Sequence, residues 1–214
     1  GPAASFIAAG YNLPFDMKRF EVEARRVLTE VDHEVGWMYE CLHTDGVSRG
    51  RINYTVWSEV FSCPECAGEV NFVEEALDTD SSRTLAEFPC PHCKTELTKR
   101  RLERFFVTVF DNVTGQSRKV PKRVPVLVNY NVGPETFQRP VTTADMELLE
   151  KIEQLSLPAE VPTVEVPYMH MTHERARMDT AGVTHVHHFF LPRAAHALAS
   201  LWRKAHSIHD AGSR

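Results

Sequence analysis

The clearest pattern of apolar and polar positions lies over residues 16–35. Phe20, Ala24, Val27, Leu28, Val31 and Val35 recur at helical spacing on one face, and Arg19, Glu23, Arg26, Glu30 and Glu34 fall largely on the other. This predicts an amphipathic helix packed on a core, capped by Asp16 and stopped by Gly36. Upstream, the Ala-rich stretch 3–11 reads as a short helix or strand ending at Gly10. Residues 37–42 read as a strand and Asp45 and Gly46 as a turn. Residues 51–62 alternate and are rich in β-branched and aromatic side chains, the mark of a longer strand. Further strands are expected over 69–76, 102–111 and 123–132, with turns at 78–82 and 112–115. Residues 142–155 read as a second helix, capped by Thr142 or Thr143, with Asp145 and Glu147 suited to its positive N-terminus and Leu148, Leu149, Ile152 and Leu155 as its apolar face. Residues 156–182 show no period. A last helix is expected from Pro192, with Ala194, Leu198, Leu201, Trp202 and Ala205 as its buried stripe.

This order predicts an α+β fold: a mostly antiparallel sheet with an inserted four-cysteine zinc ribbon, flanked by amphipathic helices. The expected division is 1–50, an N-terminal part of the core; 51–112, the ribbon with an inserted hairpin; and 113–214, a strand and C-terminal helices of the core. Gly1 and Pro2 read as a protease-cleavage scar, so the chain reads as a piece of something longer. No apolar run approaches the ~20 residues of a membrane span. A basic region followed by an apolar stretch is also missing from the N-terminus, and the chain is expected to be cytoplasmic, without a membrane partner.

Charge sharpens the picture. A net charge of −5 is unlike that of a free-standing nucleic-acid binder. Yet Lys94, Lys99, Arg100, Arg101 and Arg104 stand close together, and Arg118, Lys119, Lys122 and Arg123 form a second basic stretch. One reading is an anion-facing surface; the other is a pair of hairpin edges whose cations discourage edge-to-edge pairing.

The strongest chemical signal is an internal repeat: FSCPECAGEV at 61–70 aligns with FPCPHCKTEL at 88–97. Each unit reads as a zinc knuckle, a strand ending in one Cys and a tight turn returning the next. Cys63, Cys66, Cys90 and Cys93 would then supply four thiolates to one tetrahedral, closed, structural zinc site with no open position for catalysis. Cys41, among Trp37, Met38, Tyr39 and Leu42, reads as a buried small hydrophobe. His170, His173, His185, His187 and His188 crowd one third of the chain. Imidazole suits zinc, nickel or copper, so a second metal site is one reading of them, and hydrogen-bonded or exposed loop histidines the other. No dinucleotide fingerprint, phosphate loop, nucleophile elbow or Asp-Pro-Pro-Tyr-like motif occurs, so the chain is expected to be catalytically silent alone.

Taken together, PAASFIAAGYNLP (2–14), GWMYECLHTDG (36–46), GRINYTVWSEVFSCPEC (50–66), FPCPHC (88–93), PVLVNYNVG (125–133) and GVTHVHHFFLPR (182–193) resemble an internal segment of bacterial site-specific, adenine-modifying DNA methyltransferases. The resemblance covers nearly the whole chain. It implies a restriction-modification context, an S-adenosylmethionine motif before residue 2 and a catalytic Asp-Pro-Pro motif after residue 214. The cofactor and the transferase chemistry would belong to the parent protein, so no catalytic or cofactor residue carries over. What carries over is the ribbon, Cys63, Cys66, Cys90 and Cys93, with Ala67 and Lys94 standing where glycine often follows the second Cys. The implied role is a zinc-stabilised insertion that helps hold or recognise target DNA, with Lys99, Arg100, Arg101, Arg104, Arg118, Lys119, Lys122 and Arg123 as candidate phosphate contacts. The alternative is a structural or protein-interaction module bracing the catalytic domain or a partner subunit.

Overall fold

The computed structural model of the chain describes residues 1–14, 16–78 and 83–208. Its elements begin with helices α1 (Pro2–Asn12) and α2 (Met17–Val35), strands β1 (Glu40–Leu42), β2 (Arg49–Ser62) and β3 (Glu69–Asn71), and the short helix α3 (Phe72–Ala76). Small strands follow: β4 (Leu77–Asp78), β5 (Arg83–Thr84), β6 (Glu87–Pro89), β7 (Glu96–Thr98) and β8 (Glu103–Arg104). The chain continues through β9 (Phe106–Asp111), β10 (Gln116–Pro121), β11 (Arg123–Val132), β12 (Glu135–Pro140), α4 (Thr143–Glu153), α5 (Arg175–Ala181) and α6 (Pro192–His206). Every strand pair is antiparallel, so the fold is α+β as the pattern predicts. Among the described residues, no helix is long and apolar enough to cross a membrane. Two compact units form among the described residues: one from Gly1–Met38, Ser156–Val161 and 191–208, the other from Tyr39–Leu155 and Pro162–Phe190.

In the first unit, Asp16 caps α2 as expected, accepting the N–H groups of Lys18 and Arg19 at 3.0 and 3.2 Å. Gly36 ends α2 as its C-cap, as expected, but in a right-handed conformation (φ −58°, ψ −34°) that passes into the 3₁₀ turn Gly36–Tyr39, leaving only Glu40–Leu42 of the expected 37–42 strand. The expected stripe of α6 is also corrected. Ala195, Ala199 and Ser200 are buried, whereas Leu198 and Trp202 are 50% and 58% exposed. Polar pairing decides that rotation: Arg203 bonds Glu34 and Glu160, and Lys204 reaches Glu34 at 3.0 Å, turning the cationic side of α6 toward α2. Each exposed pair contributes at most about 1 kcal/mol. The small Ala195 and Ala199 pack with Val161 and Leu157.

The second unit is built on the sheet order β1-β2-β11-β12, with β3 and β8 paired to the far end of β2. Cys41, Ile52, Val128 and Tyr130 form its core under Phe137, Val141 and Leu148, so Cys41 is the buried hydrophobe expected. Gly50 must lack a side chain, because a Cβ there would lie 2.4 Å from the Tyr130 ring. Arg139 and Asp145, 7% and 6% exposed, form a fork-to-fork ion pair at 2.5 and 3.0 Å. Asp145 also accepts the backbone N–H and hydroxyl of Thr142, completing the capping box of α4.

Three other expectations change. Residues 69–76 give β3 and then a helix, because the buried Ser58 hydroxyl accepts the Val73 N–H at 2.9 Å and Phe72 packs on Phe61 and Phe88. The 102–111 strand breaks at Phe105, whose N–H bonds Val60 O and whose carbonyl accepts Lys122 N, so β8 joins β2 while β9 joins β10. Strands β10 and β12 and helix α5 appear where the pattern predicts no element. The expected turn at 78–82 lies, apart from Asp78, outside the described residues.

Candidate metal centre

Long strand β2 leaves the sheet and delivers Cys63 directly. The repeat in the sequence is a repeat in space: Phe61 pairs with Val70 across β2 and β3, and Phe88 pairs with Leu97 across β6 and β7. Each knuckle closes identically. Cys63 N–H bonds Gly68 O at 2.9 Å and Ala67 N–H bonds Cys63 O at 2.9 Å; Cys90 N–H bonds Thr95 O at 2.8 Å and Lys94 N–H bonds Cys90 O at 3.0 Å. The knuckles also interlock. His92 of the second donates Nε2–H to Glu69 O at 2.9 Å, and a Cβ on Gly68 would meet its ring at 2.4 Å.

These turns bring four sulfurs together. Cys63 Sγ lies 3.8 Å from Cys93 Sγ, and Cys66 Sγ lies 3.8 Å from Cys90 Sγ, with all four within 4.8 Å of one another. None is in a disulfide. Cys63 and Cys90 are buried beside Val70, Ala76, Phe88 and Leu97, while Cys66 and Cys93 face outward. The four cysteines are therefore positioned to hold a metal ion. Their protons do not sit evenly. The Thr95 hydroxyl and N–H hold Cys93 down to about 6, whereas at Cys66 the helpful Gly68 N–H is outweighed by desolvation and the other three sulfurs, which push it up to about 12. Four crowded thiols resist shared ionisation, and a cation at their centre removes that conflict.

No protein-family model, curated protein or solved structure matches this chain.

Ala67 and Lys94 occupy left-handed backbone, φ 55° and 64°. Glycine is the residue that such a turn favours. Ala67→Gly and Lys94→Gly are each expected to stabilise the knuckle by about 0.5–1 kcal/mol. Chelator competition reads this as about a two- to fivefold gain in metal affinity; unchanged affinity in both would show that these turns store no strain.

The basic residues are placed unevenly. Arg101 pairs with Glu65 at 3.0 Å, Lys122 with Glu69 at 2.6 Å, and Glu59 takes both Arg104 at 3.6 Å and Arg123 at 3.3 Å. Arg118 points inward, donating to Gly182 O at 2.9 Å; desolvation lowers its pKa while Asp111 opposes the shift. Lys99 lies over the Phe72 ring, 4.7 Å from its centroid. Arg100 and Lys119 pair with no carboxylate among the described residues, and Arg100 is exposed.

The histidines divide. His173 receives the Met169 N–H at Nδ1 and bonds Asp179 through Nε2 at 2.9 Å. His187 and His188 converge instead on Asp111, a residue that the sequence did not single out, at 3.1 and 2.9 Å. Their ligand-capable atoms and the Asp111 carboxylate all lie within 4.8 Å of one another.

Proposed function

We propose that this chain is the non-catalytic, zinc-stapled insertion of an adenine-modifying DNA methyltransferase and that it contributes backbone contacts to duplex DNA. The observation that carries the metal assignment is the sulfur geometry. Two opposite edges of the sulfur cage are 3.8 Å and the others lie within 4.8 Å; a regular tetrahedron with edges of about 3.8 Å would put each sulfur about 2.3 Å from its centre, the zinc–thiolate bond length. Four thiolates would close the coordination sphere of such an ion, which would staple the two turns and offer no position to water. S-adenosylmethionine and the transferase chemistry belong, in this reading, to the rest of the parent protein, as the sequence resemblance implies.

DNA contact is supported by cations that stay available on the ribbon and its hairpin, with Arg100 and Lys119 foremost, followed by Lys99. Arg101, Arg104, Lys122 and Arg123 already have carboxylate partners at the surface and would have to exchange them for phosphates. That same pairing favours a second reading, a module that braces the catalytic domain or docks a partner subunit.

Fluorescence anisotropy of labelled duplex titrated with the zinc-loaded protein at several salt concentrations separates the two. The expected result is binding that weakens steeply with salt, with Arg100→Ala and Lys119→Ala each lowering the log–log salt slope by about 1. Absence of binding at low salt would remove the DNA reading and leave the bracing module.

A further inference from the structure

Asp111 closes β9, and residues 112–115 turn the chain into β10. Its carboxylate is saturated. Oδ1 accepts the Val113 N–H at 2.9 Å. Oδ2 accepts the Thr114 hydroxyl at 2.8 Å, His187 Nε2–H at 3.1 Å and His188 Nε2–H at 2.9 Å. The three side chains are 8%, 7% and 2% exposed for Asp111, His187 and His188.

Two readings compete, a metal site and a hydrogen-bonded clasp, and at His188 the backbone favours the clasp, while His187 Nδ1 is buried without a partner. His188 Nδ1 faces two backbone donors, Thr184 N–H at 3.1 Å and His185 N–H at 3.3 Å. Nδ1 must therefore carry the lone pair and Nε2 the proton. A metal on Nε2 would need the reverse, a proton on Nδ1 given to an acceptor. Charge is consistent with the clasp, since the Arg118 guanidinium is near enough to feel the Asp111 charge. A divalent ion added there would also face the positive Arg118 in a buried site.

We propose that Asp111, His187 and His188 form a metal-free, proton-sensitive latch that fastens residues 183–190 to the β9–β10 hairpin and releases them on acidification. The segment and its flank are also held by the Arg118 guanidinium on Gly182 O and by the Val166 N–H on Thr184 O at 2.8 Å, so the latch works beside one charged and one backbone bond. The groups that face His188 are Asp111 from β9, Arg118 from β10, and His187 and His185 from its own turn. Protonating His188 requires a second N–H at Nδ1, which expels both backbone donors. Burial depresses its pKa first, Asp111 opposes the shift, and Arg118 and His187 reinforce it. A depressed histidine contributes stability that is complete above its unfolded pKa of about 6.5 and is lost as pH falls. Opening therefore grows by up to about tenfold per pH unit below that value.

The test is long-range ¹H–¹⁵N spectroscopy of the zinc-loaded, histidine-labelled protein, combined with amide exchange corrected for intrinsic rates. At neutral pH, His188 is expected as the Nε2–H tautomer. Between about pH 7.5 and 5.5, protection of residues 183–190 should fall by about tenfold, with His188 protonating only as those amides open. In Asp111→Asn the protection should already be low at neutral pH and should change less with acid. A His188 Nδ1–H tautomer, a second equivalent of metal lost in Asp111→Asn, or ordinary titration near about 6.5 with unchanged protection would each overturn the latch. The tautomer is read on the unmutated protein, so it stands even if the variant fails to fold.

Discussion

Cys90→Ser and Cys93→Ser are each expected to abolish metal retention and unfold the ribbon while the sheet β1-β2-β11-β12 persists. The ribbon's own core is small, Val70, Ala76, Phe88 and Leu97 around Cys63 and Cys90. A core of that size cannot offset the entropy of ordering its turns, which is why small scaffolds are stapled. In zinc-finger peptides the metal contributes about 10–16 kcal/mol of apparent free energy, which is folding free energy. Losing one thiolate of four removes a large part of that stabilisation and leaves a hydroxyl in the cluster. Metal content should fall from about one equivalent to a small fraction, and amide signals of the two knuckles should collapse. Cys41→Ser is the control: Cys41 packs with Ile52 and Tyr130, outside the sulfur cluster, and the variant should keep its metal. A Cys93→Ser protein with an intact ribbon and full metal content would refute the four-ligand assignment.

Asp145→Ala should be the most damaging change away from the metal, at about 3–5 kcal/mol, because it strands a buried guanidinium. It also removes the acceptor of Thr142 N–H and hydroxyl, which start α4. Burial disfavours the Asp145 carboxylate, but Arg139 and Thr142 outweigh it and hold its pKa below the ordinary range. The sign follows. This stability is present above the unfolded carboxylate value of about 3.9 and is lost as pH falls through the lower folded value. Urea midpoints of Asp145→Ala, Arg139→Ala and the double variant provide the check. The double variant should be far less destabilised than the sum of the singles, because neither charge is left alone. Additive losses would mean that the pair contributes nothing as a pair.

The parts of this molecule legible in its sequence are those whose chemistry is local. The two C-P-x-C turns carry ligand type, spacing and backbone reversal within a few residues each, so all four sulfurs meet as the repeat predicts. Even the missing glycines mark the left-handed positions at Ala67 and Lys94. The Asp16 cap, the α4 cap at Thr142 and the burial of Cys41 were readable for the same reason. What was illegible depends on partners distant in the chain. Periodicity assigned Leu198 and Trp202 to the inside of α6, but Arg203 and Lys204 find Glu34 across more than half the sequence and set the helix rotation. Residues 72–76 become helical because Ser58 caps them from another strand. Strand β12 hides its inward Arg139 behind a polar pattern, since the compensating Asp145 lies in the next helix. Asp111 gives no sequence signal at all, standing 76 and 77 residues from the two histidines it holds. The two basic stretches were visible as charge, but not which cations are already paired.

Native mass spectrometry of the folded, unmutated protein, repeated after acid release of bound metal, counts the ions held by the four cysteines. The expected result is a mass excess of one zinc ion per chain, four free thiols at the ligand positions once the metal is gone, and no second ion. A folded chain that carries no metal, or one whose knuckle cysteines are joined as disulfides, would contradict it.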